Sequence, residues 1–137
     1  MPRVNGMLET CLYCNDLEGC AEFYEKLFGW TPMFRDARLR AYGVSRGSVL
    51  LLFKTGATRE DVVTPEGTIP AHDGMPGGHA AFSIDEQEWE PWLERLAGLG
   101  VTIESTVRWS RGGRSLYFRD PEGNLIELAT PGLWAVY

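Results

Sequence analysis

Three short apolar stretches of this chain each carry one side chain that could bind a metal ion. Glu9 lies in LETCLYC, His79 in HAAFSI and Glu127 in LIELA. Each stretch alternates as a strand does, and the candidate ligand lies on the side opposite the large apolar residues. Two carboxylates and one imidazole suit a divalent ion such as Ni²⁺, Zn²⁺, Mn²⁺ or Fe²⁺. At usual metal–ligand distances of about 2.0–2.2 Å, the three side chains would have to converge closely.

Each of these residues also has a structural explanation that needs no metal. Glu9 could lie on a solvated edge strand, although a carboxylate within such an apolar stretch would need a compensating partner if it were buried. His79 could be a core histidine bonded to the backbone. Glu127 could be an outward-facing polar residue of the last hairpin.

The cysteines are a weaker signal. Cys11 and Cys14 form a C-x-x-C pair, but positions i and i+3 of a strand point to opposite faces and cannot grip one metal. With Cys20 the count is three, so a disulfide framework is not expected, and buried thiols in a reducing cytoplasm fit the pattern.

The first half of the chain predicts a strand over 8–14, followed by a helix. Asp16 lies where an N-cap belongs, apolar residues then recur at helical spacing, and Gly29 ends the pattern. Three strands are predicted to follow, over 30–34, 39–44 and 48–54.

The second half repeats this order. A strand over 79–84 precedes a helix that should begin near Glu88, which leaves Pro91 in the first turn, and Gly98 and Gly100 close the helix. Strands are predicted over 101–107, 115–118 and 125–129, and DPEGN (120–124) reads as the turn before the last one.

Both halves therefore read strand–helix–strand–strand–strand, which predicts one α+β domain with two βαβββ modules. The first module spans about 7–56, a Pro- and Gly-rich linker 57–78 and the second module about 79–130. Aligning the first strands places Glu9 on His79. Aligning the last strands places Leu51 on Glu127.

Composition narrows the possible partners. A chain of 137 residues that is 44% hydrophobic can build its own core. A formal charge of −6 argues against a nucleic acid or an anionic membrane as partner. No apolar run approaches the roughly 20 residues of a membrane span, and no secretory signal is visible, so a cytoplasmic location is expected.

Three segments resemble the vicinal oxygen chelate superfamily of glyoxalase I, bleomycin-resistance proteins, fosfomycin-resistance enzymes and extradiol dioxygenases. They are LETCLYCNDLEGCAEFYEKLFGW, GGHAAFSIDEQEWEPWLERLAGLGV and, most specifically, SLYFRDPEGNLIELATP. The resemblance implies modules that curl into a half-open mixed β-barrel around one cleft. It also implies a metal held by the first and last strands of each module, at Glu9, Leu51, His79 and Glu127, of which Leu51 cannot serve.

The ligand set implies a metal-dependent, glyoxalase-like enzyme. Dioxygenases and fosfomycin-resistance enzymes typically present two histidines and one carboxylate, whereas Glu9 makes this set closer to glyoxalase I. The expected reaction is proton transfer next to a carbonyl, as in isomerases and lyases, with Glu127 as the base or Glu9 as the alternative. An extradiol-type dioxygenase and a non-catalytic, drug-binding protein of the bleomycin-resistance type are the alternatives.

Five further residues are candidates around the small-molecule substrate. Tyr117 lies ten residues before Glu127, where relatives often place a substrate-contacting tyrosine, although a core aromatic would read the same. Tyr13, Trp109, Arg114 and His72 are substrate-binding candidates. Arg114 and His72 could instead be solvated loop residues. Relatives of this size commonly form homodimers, so the site could belong to one chain or be shared between two. No motif supports glutathione as a cosubstrate.

Overall fold

In a computed structural model, which describes residues 1–137, the side chain of Asp16 begins the first helix, α1 (Leu17–Phe28). Its Oδ1 accepts a hydrogen bond from the backbone N–H of Gly19 at 3.1 Å. Gly29 ends the helix with a left-handed φ of 72°, which glycine adopts without steric cost. Both ends of α1 therefore lie where the sequence predicts them.

The chain divides into two units, Met1–Pro76 and Gly77–Tyr137. The first unit contains a four-stranded sheet in the order β1-β4-β3-β2, with β1 parallel to β4 and the other pairs antiparallel. Its strands are β1 (Glu9–Cys14), β2 (Phe34–Arg35), β3 (Leu39–Ser45) and β4 (Ser48–Lys54). A separate hairpin, β5 (Val62–Thr64) with β6 (Gly67–Ile69), completes the unit.

The second unit repeats the arrangement in the order β7-β10-β9-β8. Its strands are β7 (His79–Ser83), β8 (Ser105–Arg108), β9 (Arg114–Arg119) and β10 (Leu125–Ala129). Its helix, α2 (Trp89–Gly98), follows a short 3-10 turn, Glu86–Glu88, and has Pro91 in its first turn as predicted. The mixed α+β class with two four-stranded modules is thus confirmed.

Strand register confirms the predicted correspondence between the modules. Cys11 pairs with Leu51 in the first sheet, and Ala81 pairs with Glu127 in the second. Between equivalent strands of the two modules, the residue numbers differ by 81 − 11 = 70 for the first strand and by 127 − 51 = 76 for the last strand. The same two offsets align Glu9 with His79 and Leu51 with Glu127.

Alternation along the strands gives the second sheet one core face and one face for chemistry. On the core face Leu116, Phe118, Ile126 and Leu128 are fully buried, as is Leu96 of α2. Burial of each such side chain contributes about 1.5–3 kcal/mol. The intervening residues of β9 and β10, including Ser115, Tyr117 and Glu127, therefore lie on the opposite face.

Three predicted segments differ from the structure. Over 30–34 only Phe34 enters a strand, because Pro32 lacks an N–H and Trp30 stacks on Phe28 instead, with ring centroids 4.3 Å apart. Over 101–107 the strand starts at Ser105, since Val101 donates its N–H to the carbonyl of Leu96. The predicted linker carries the β5–β6 hairpin.

Neither helix of the structure has the length and apolar character needed to cross a membrane.

Candidate metal centre

Glu127 is a buried carboxylate in the middle of β10. Its residue is 5% exposed, and the strand register places it between Ala81 of β7 and Tyr117 of β9. Ala81 is small and leaves space beside the carboxylate. A buried carboxylate needs compensating partners, so its contacts indicate its purpose.

Two hydroxyl groups donate to one oxygen of this carboxylate. The Oγ of Ser115 lies 2.5 Å from Glu127 Oε1, and the hydroxyl of Tyr117 lies 3.1 Å from the same atom. The indole N–H of Trp109 in turn donates to Ser115 Oγ at 2.8 Å. The chain Trp109–Ser115–Glu127 fixes the carboxylate plane and leaves Oε2 for another partner.

That partner is the imidazole of His79, at the start of β7. Its Nδ1 lies 2.8 Å from the carbonyl oxygen of Leu125, and because a carbonyl only accepts, Nδ1 carries a proton. In the neutral ring Nε2 then holds a lone pair. Nε2 lies 3.3 Å from Glu127 Oε2, so two proton-accepting atoms face each other.

A shared cation fits between these two atoms. Two ligands about 2.0–2.2 Å from one ion lie roughly 3 Å or slightly more from each other, which agrees with the 3.3 Å separation. Histidine ligands commonly donate their other ring N–H to a backbone carbonyl, as His79 does to Leu125. A proton could fill the same gap, in which case the pair would be an ordinary ion pair. Within the unit no third His, Cys, Asp or Glu joins them.

The D-P-x-G-N turn positions the start of β7. The side-chain oxygen of Asn124, which is fully buried, accepts the backbone N–H groups of Gly77 and Gly78, each at 2.9 Å. Its amide nitrogen donates to Asp120 Oδ2 at 2.8 Å. Asn124 therefore anchors the two residues immediately before His79.

A cavity of about 360 Å³ opens beside the His79–Glu127 pair. His79, Tyr117 and Glu127 form its polar end. The rest of its lining is apolar and comprises Ala81, Trp109, Leu133 and Trp134. Such a cavity, mostly apolar with a few convergent polar groups, is typical of a small-molecule site.

The segment after β10 supplies part of this apolar lining. The backbone N–H groups of Gly132, Leu133 and Trp134 all donate to the carbonyl oxygen of Tyr137. The Tyr137 hydroxyl donates to the carbonyl oxygens of Ile84 and Ala129, at 3.1 and 2.9 Å. Leu133 and Trp134 are cavity residues that the sequence analysis missed, since nothing in their spacing signals a site.

Tyr117 keeps its proton at ordinary pH. Burial raises the pKa of its hydroxyl, and the negative charge of Glu127 and the hydrogen bond to it raise that pKa further. Tyr117 is therefore a hydrogen-bond donor in the cavity. Ser115, which was not predicted, shares this role, and its signal lay in its position two residues before Tyr117 on the same strand face.

Glu9 and Leu51 lie in the first unit. Glu9 is the first residue of β1, an edge strand of its sheet, and its side chain is exposed without a hydrogen bond or ion pair. Leu51 lies on β4, opposite Cys11. An exposed, unpaired carboxylate is free to bind a cation, and the third-ligand role of Glu9 stays a prediction.

Tyr13 and His72 meet each other within the first unit. Thr58 donates its hydroxyl proton to the His72 carbonyl at 2.6 Å, so it accepts the proton of Tyr13 at 2.9 Å. Tyr13 in turn accepts from His72 Nδ1 at 2.8 Å. Gly74 lies so close that a Cβ there would come within 2.2 Å of the Tyr13 ring. The network holds the segment around His72 against β1.

Arg114 does not line the cavity of the second unit. Its guanidinium donates to Glu86 Oε1 at 2.5 Å and lies 4.3 Å from the centre of the Trp89 ring. The reason is alternation: Arg114 shares the helix-facing side of β9 with Leu116, opposite Ser115 and Tyr117.

Comparison with known proteins gives relatives over nearly the whole chain. The metallothiol transferase FosB of Bacillus licheniformis is 30% identical over 129 residues, which is 93% of this chain and 77% of that protein. The glutathione transferase FosA of Serratia marcescens is 40% identical over 60 residues, 42% of this chain and 39% of that protein. The crystal structure of a lactoylglutathione lyase from Agrobacterium tumefaciens superimposes with a TM-score of 0.87 and 31% identity, covering 98% and 99% of the two chains.

These relatives agree with the general description of a metal-dependent, glyoxalase-like enzyme. A family model described as the Glyoxalase/Bleomycin resistance protein/Dioxygenase superfamily matches residues 6–128. Together with the two βαβββ modules, this match shows that the chain belongs to the glyoxalase, bleomycin resistance protein and dioxygenase superfamily.

Proposed function

We propose that the protein is a divalent-metal-dependent enzyme in which His79 and Glu127, together with Glu9, hold the ion beside a small-molecule substrate. The observation that carries this proposal is the 3.3 Å approach of His79 Nε2 to Glu127 Oε2. When bound, Ni²⁺, Zn²⁺, Mn²⁺ or Fe²⁺ would supply Lewis-acid polarisation of a substrate oxygen. The side chains would hold, orient and shield the reacting groups.

Addition of a thiol to a small electrophile such as an epoxide is the first candidate reaction. Similarity to proteins named metallothiol transferase and glutathione transferase supports it. The sulfur forms a bond to a ring carbon while that carbon's bond to oxygen breaks. The thiol loses its proton and the freed oxygen gains one, so no oxidant or reductant is needed. No side chain has to remove a proton from carbon.

The contacts of Glu127 suit this reaction. Its Oε1 already accepts two hydroxyl protons, and its Oε2 faces His79. A carboxylate held in this way is well oriented as a ligand. To act as a base it would first have to give up one of these contacts. Tyr117, with its raised pKa, is the proton donor nearest to the carboxylate in the cavity lining.

Proton transfer next to a carbonyl, the reaction predicted from the sequence, is the second candidate. Similarity to the lactoylglutathione lyase over nearly the whole chain supports it. Glu127 would then serve as base after release from Ser115 and Tyr117, with Glu9 as the alternative base.

A homodimer is part of this proposal, with Glu9 supplied by the same chain or by a second copy. Complementation distinguishes the two arrangements. If the site is shared between copies, mixing inactive Glu9→Gln and Glu127→Gln proteins restores activity, because a mixed dimer regains one intact ligand set. If each chain holds its own set, the mixture stays inactive.

Activity assays on metal-loaded protein test the proposed function. Glutathione or cysteine is supplied with fosfomycin or styrene oxide, and separately glutathione with methylglyoxal, and products are identified by mass spectrometry. We expect turnover that a chelator removes and that Glu127→Gln abolishes, while Glu94→Gln, an exposed position on α2, leaves it unchanged. Turnover that is indifferent to chelator contradicts the proposal.

The two alternatives from the sequence make different predictions in parallel assays. A dioxygenase would consume oxygen when supplied with catechol and Fe²⁺. A drug-binding protein would bind its ligand without metal and return it unaltered.

A further inference from the structure

We infer that the substrate of this site carries a neutral apolar group, most suitably an aromatic ring, rather than a phosphonate or another anionic group. This inference deepens the proposed function and rests on it. It starts from the cavity beside His79 and Glu127, which combines a polar end with an apolar wall.

Two indole rings belong to that wall, and both are accessible. Trp109 is 36% exposed and Trp134 is 69% exposed, although both are large apolar side chains. Leu133 lies next to Trp134 in the same lining. Exposed aromatic side chains around a concave site are suited to stacking with a flat apolar ligand.

Hydrogen bonds hold the ring of Trp109 and the backbone of Trp134. The indole N–H of Trp109 is held by Ser115, which itself donates to Glu127. The backbone of Trp134 donates to the Tyr137 carbonyl, and the Tyr137 hydroxyl is bonded to Ile84 and Ala129. The part of the wall that is ordered in this way loses less conformational freedom when a ring stacks on it.

No lysine or arginine lines the cavity. Arg114 is turned to the other face of its sheet, where it contacts Glu86 and Trp89. Arg119 shares the face of Tyr117, but its guanidinium is paired with Glu104 at 2.8 Å. Recognition of a phosphonate normally relies on arginine or lysine donors, which the lining of this cavity lacks.

The face that bears Glu9 in the first unit lacks cations as well. Register places three groups of strand residues on that face: Glu9, Cys11 and Tyr13 of β1; Val49, Leu51 and Phe53 of β4; and Leu39, Ala41 and Gly43 of β3. None is basic, and Glu9 adds a negative charge. This strand face therefore contains no lysine or arginine.

The site therefore disfavours a charged group on the part of the ligand that extends away from the metal. The polar end can receive an oxygen atom, and the indole wall can receive a ring attached one or two bonds away. A neutral aromatic epoxide or 1,2-diol meets both requirements. Fosfomycin, an aliphatic epoxide with a phosphonate, meets only the first.

Isothermal titration calorimetry with two probes tests the inference. The probes are 1-phenyl-1,2-ethanediol and fosfomycin, each titrated into the full chain with and without Zn²⁺. We expect the diol to bind at least ten-fold more tightly than fosfomycin. Trp134→Ala should weaken diol binding at least five-fold, and Trp134→Phe should restore most of it. Leu99→Ala, which removes an exposed apolar side chain at the end of α2, should leave it unchanged.

A positive charge introduced into the cavity lining should shift the binding preference toward the anionic probe. Leu133→Arg should raise the affinity for fosfomycin and lower that for the diol. Equal or tighter binding of fosfomycin to the unaltered protein, no measurable binding of the diol, or indifference of the diol to Trp134→Ala would each overturn the inference. If the protein binds no metal, the proposed function is overturned. The inference about ligand class is still tested in that case, because the affinities of the two probes can be compared on metal-free protein.

Discussion

The Nε2 atom of His79 lies 3.3 Å from Oε2 of Glu127, while Nδ1 of the same ring donates its proton to the carbonyl of Leu125. The two facing atoms both accept protons, and one carries a formal negative charge. A positive charge between them, from a proton or a metal ion, is the arrangement that their chemistry favours.

Loss of either ligand should remove high-affinity metal binding. We expect His79→Ala and Glu127→Gln each to weaken the binding of Zn²⁺ or Mn²⁺ by about 100-fold or more, since an ion in a small site depends on every ligand. Calorimetry on protein freed of metal by chelation measures the change. Glu94→Gln removes an exposed carboxylate from α2 and should not change the affinity. Wild-type affinity in either ligand variant would exclude the pair as the metal centre.

Ser115→Ala should weaken the site without removing a ligand. Glu127 Oε1 would keep only Tyr117, and Trp109 Nε1 would lose its acceptor. We expect about ten-fold weaker metal binding and a free energy of unfolding lower by about 1–3 kcal/mol, because the lost partner is buried. Metal titration and urea denaturation provide the two values.

The matched control for this variant is Ser110→Ala, at an exposed serine of the adjoining loop. Its unfolding free energy should stay within about 0.5 kcal/mol of the unaltered protein. Equal behaviour of the two serine variants would mean that the bond from Ser115 to Glu127 does not orient the carboxylate.

Asn124→Ala should destabilise the second unit strongly. The change leaves the N–H groups of Gly77 and Gly78 and the carboxylate of Asp120 without their buried partner. We expect a loss of about 2–4 kcal/mol in the free energy of unfolding, measured by chemical denaturation.

Asn15→Ala, at an exposed asparagine, is the comparison and should change stability by no more than about 0.5 kcal/mol. If both asparagine variants unfold alike, the D-P-x-G-N turn is not the anchor of β7.

Stability should fall at alkaline pH through two tyrosines. Burial raises the pKa of Tyr42 and of Tyr117, and each hydroxyl donates to a carboxylate, Glu25 and Glu127 respectively. A group whose pKa is higher in the folded than in the unfolded state binds more protons when folded, so its stabilisation is complete below the unfolded pKa of about 10 and is lost as pH rises beyond it.

Denaturation curves from pH 8 to 11.5 measure this effect, together with the absorbance of tyrosinate. We expect constant stability up to about pH 10 from these groups and a decline above it. Tyr42→Phe should reduce the slope of that decline. Ionisation of all tyrosines near pH 10 in the folded protein would contradict the prediction.

Gly74→Ala should destabilise the first unit. A Cβ at this position would lie 2.2 Å from a ring carbon of Tyr13, so the segment around His72 would have to move. We expect a loss of about 2 kcal/mol, by analogy with overpacked cores. Gly98→Ala, where a Cβ meets no atom within 4 Å, should instead stabilise by up to about 1 kcal/mol. Thermal unfolding of both variants decides between these outcomes.

The sequence predicted the fold correctly at positions where a residue type has one well-defined structural role. Asp16 and Gly29 mark the ends of α1 because a carboxylate caps N–H groups and glycine accepts a left-handed φ. The repeat predicted which residues of the two sheets correspond, and the register confirms it. The strand predicted over 30–34 starts only at Phe34, because Pro32 lacks an N–H and the Trp30 ring packs against Phe28 and Tyr42.

The site was harder to predict, because the residues that orient His79 and Glu127 are of types that occur throughout proteins. His79 and Glu127 stand out as ligand types, but a serine such as Ser115 is recognisable only when its neighbour across the sheet is known. The direction of Arg114 followed from strand alternation, whereas Leu133 and Trp134 reach the cavity through a tail without periodicity. Tertiary contacts that join distant parts of the chain leave no local pattern.

The matching register of the two sheets has a consequence for how each half can change. Because Leu51 occupies in one half the place that Glu127 occupies in the other, a duplicated half can lose its chemistry while keeping its backbone. One half of such a chain is then able to change its surface toward new ligands, while the other half retains the reactive carboxylate.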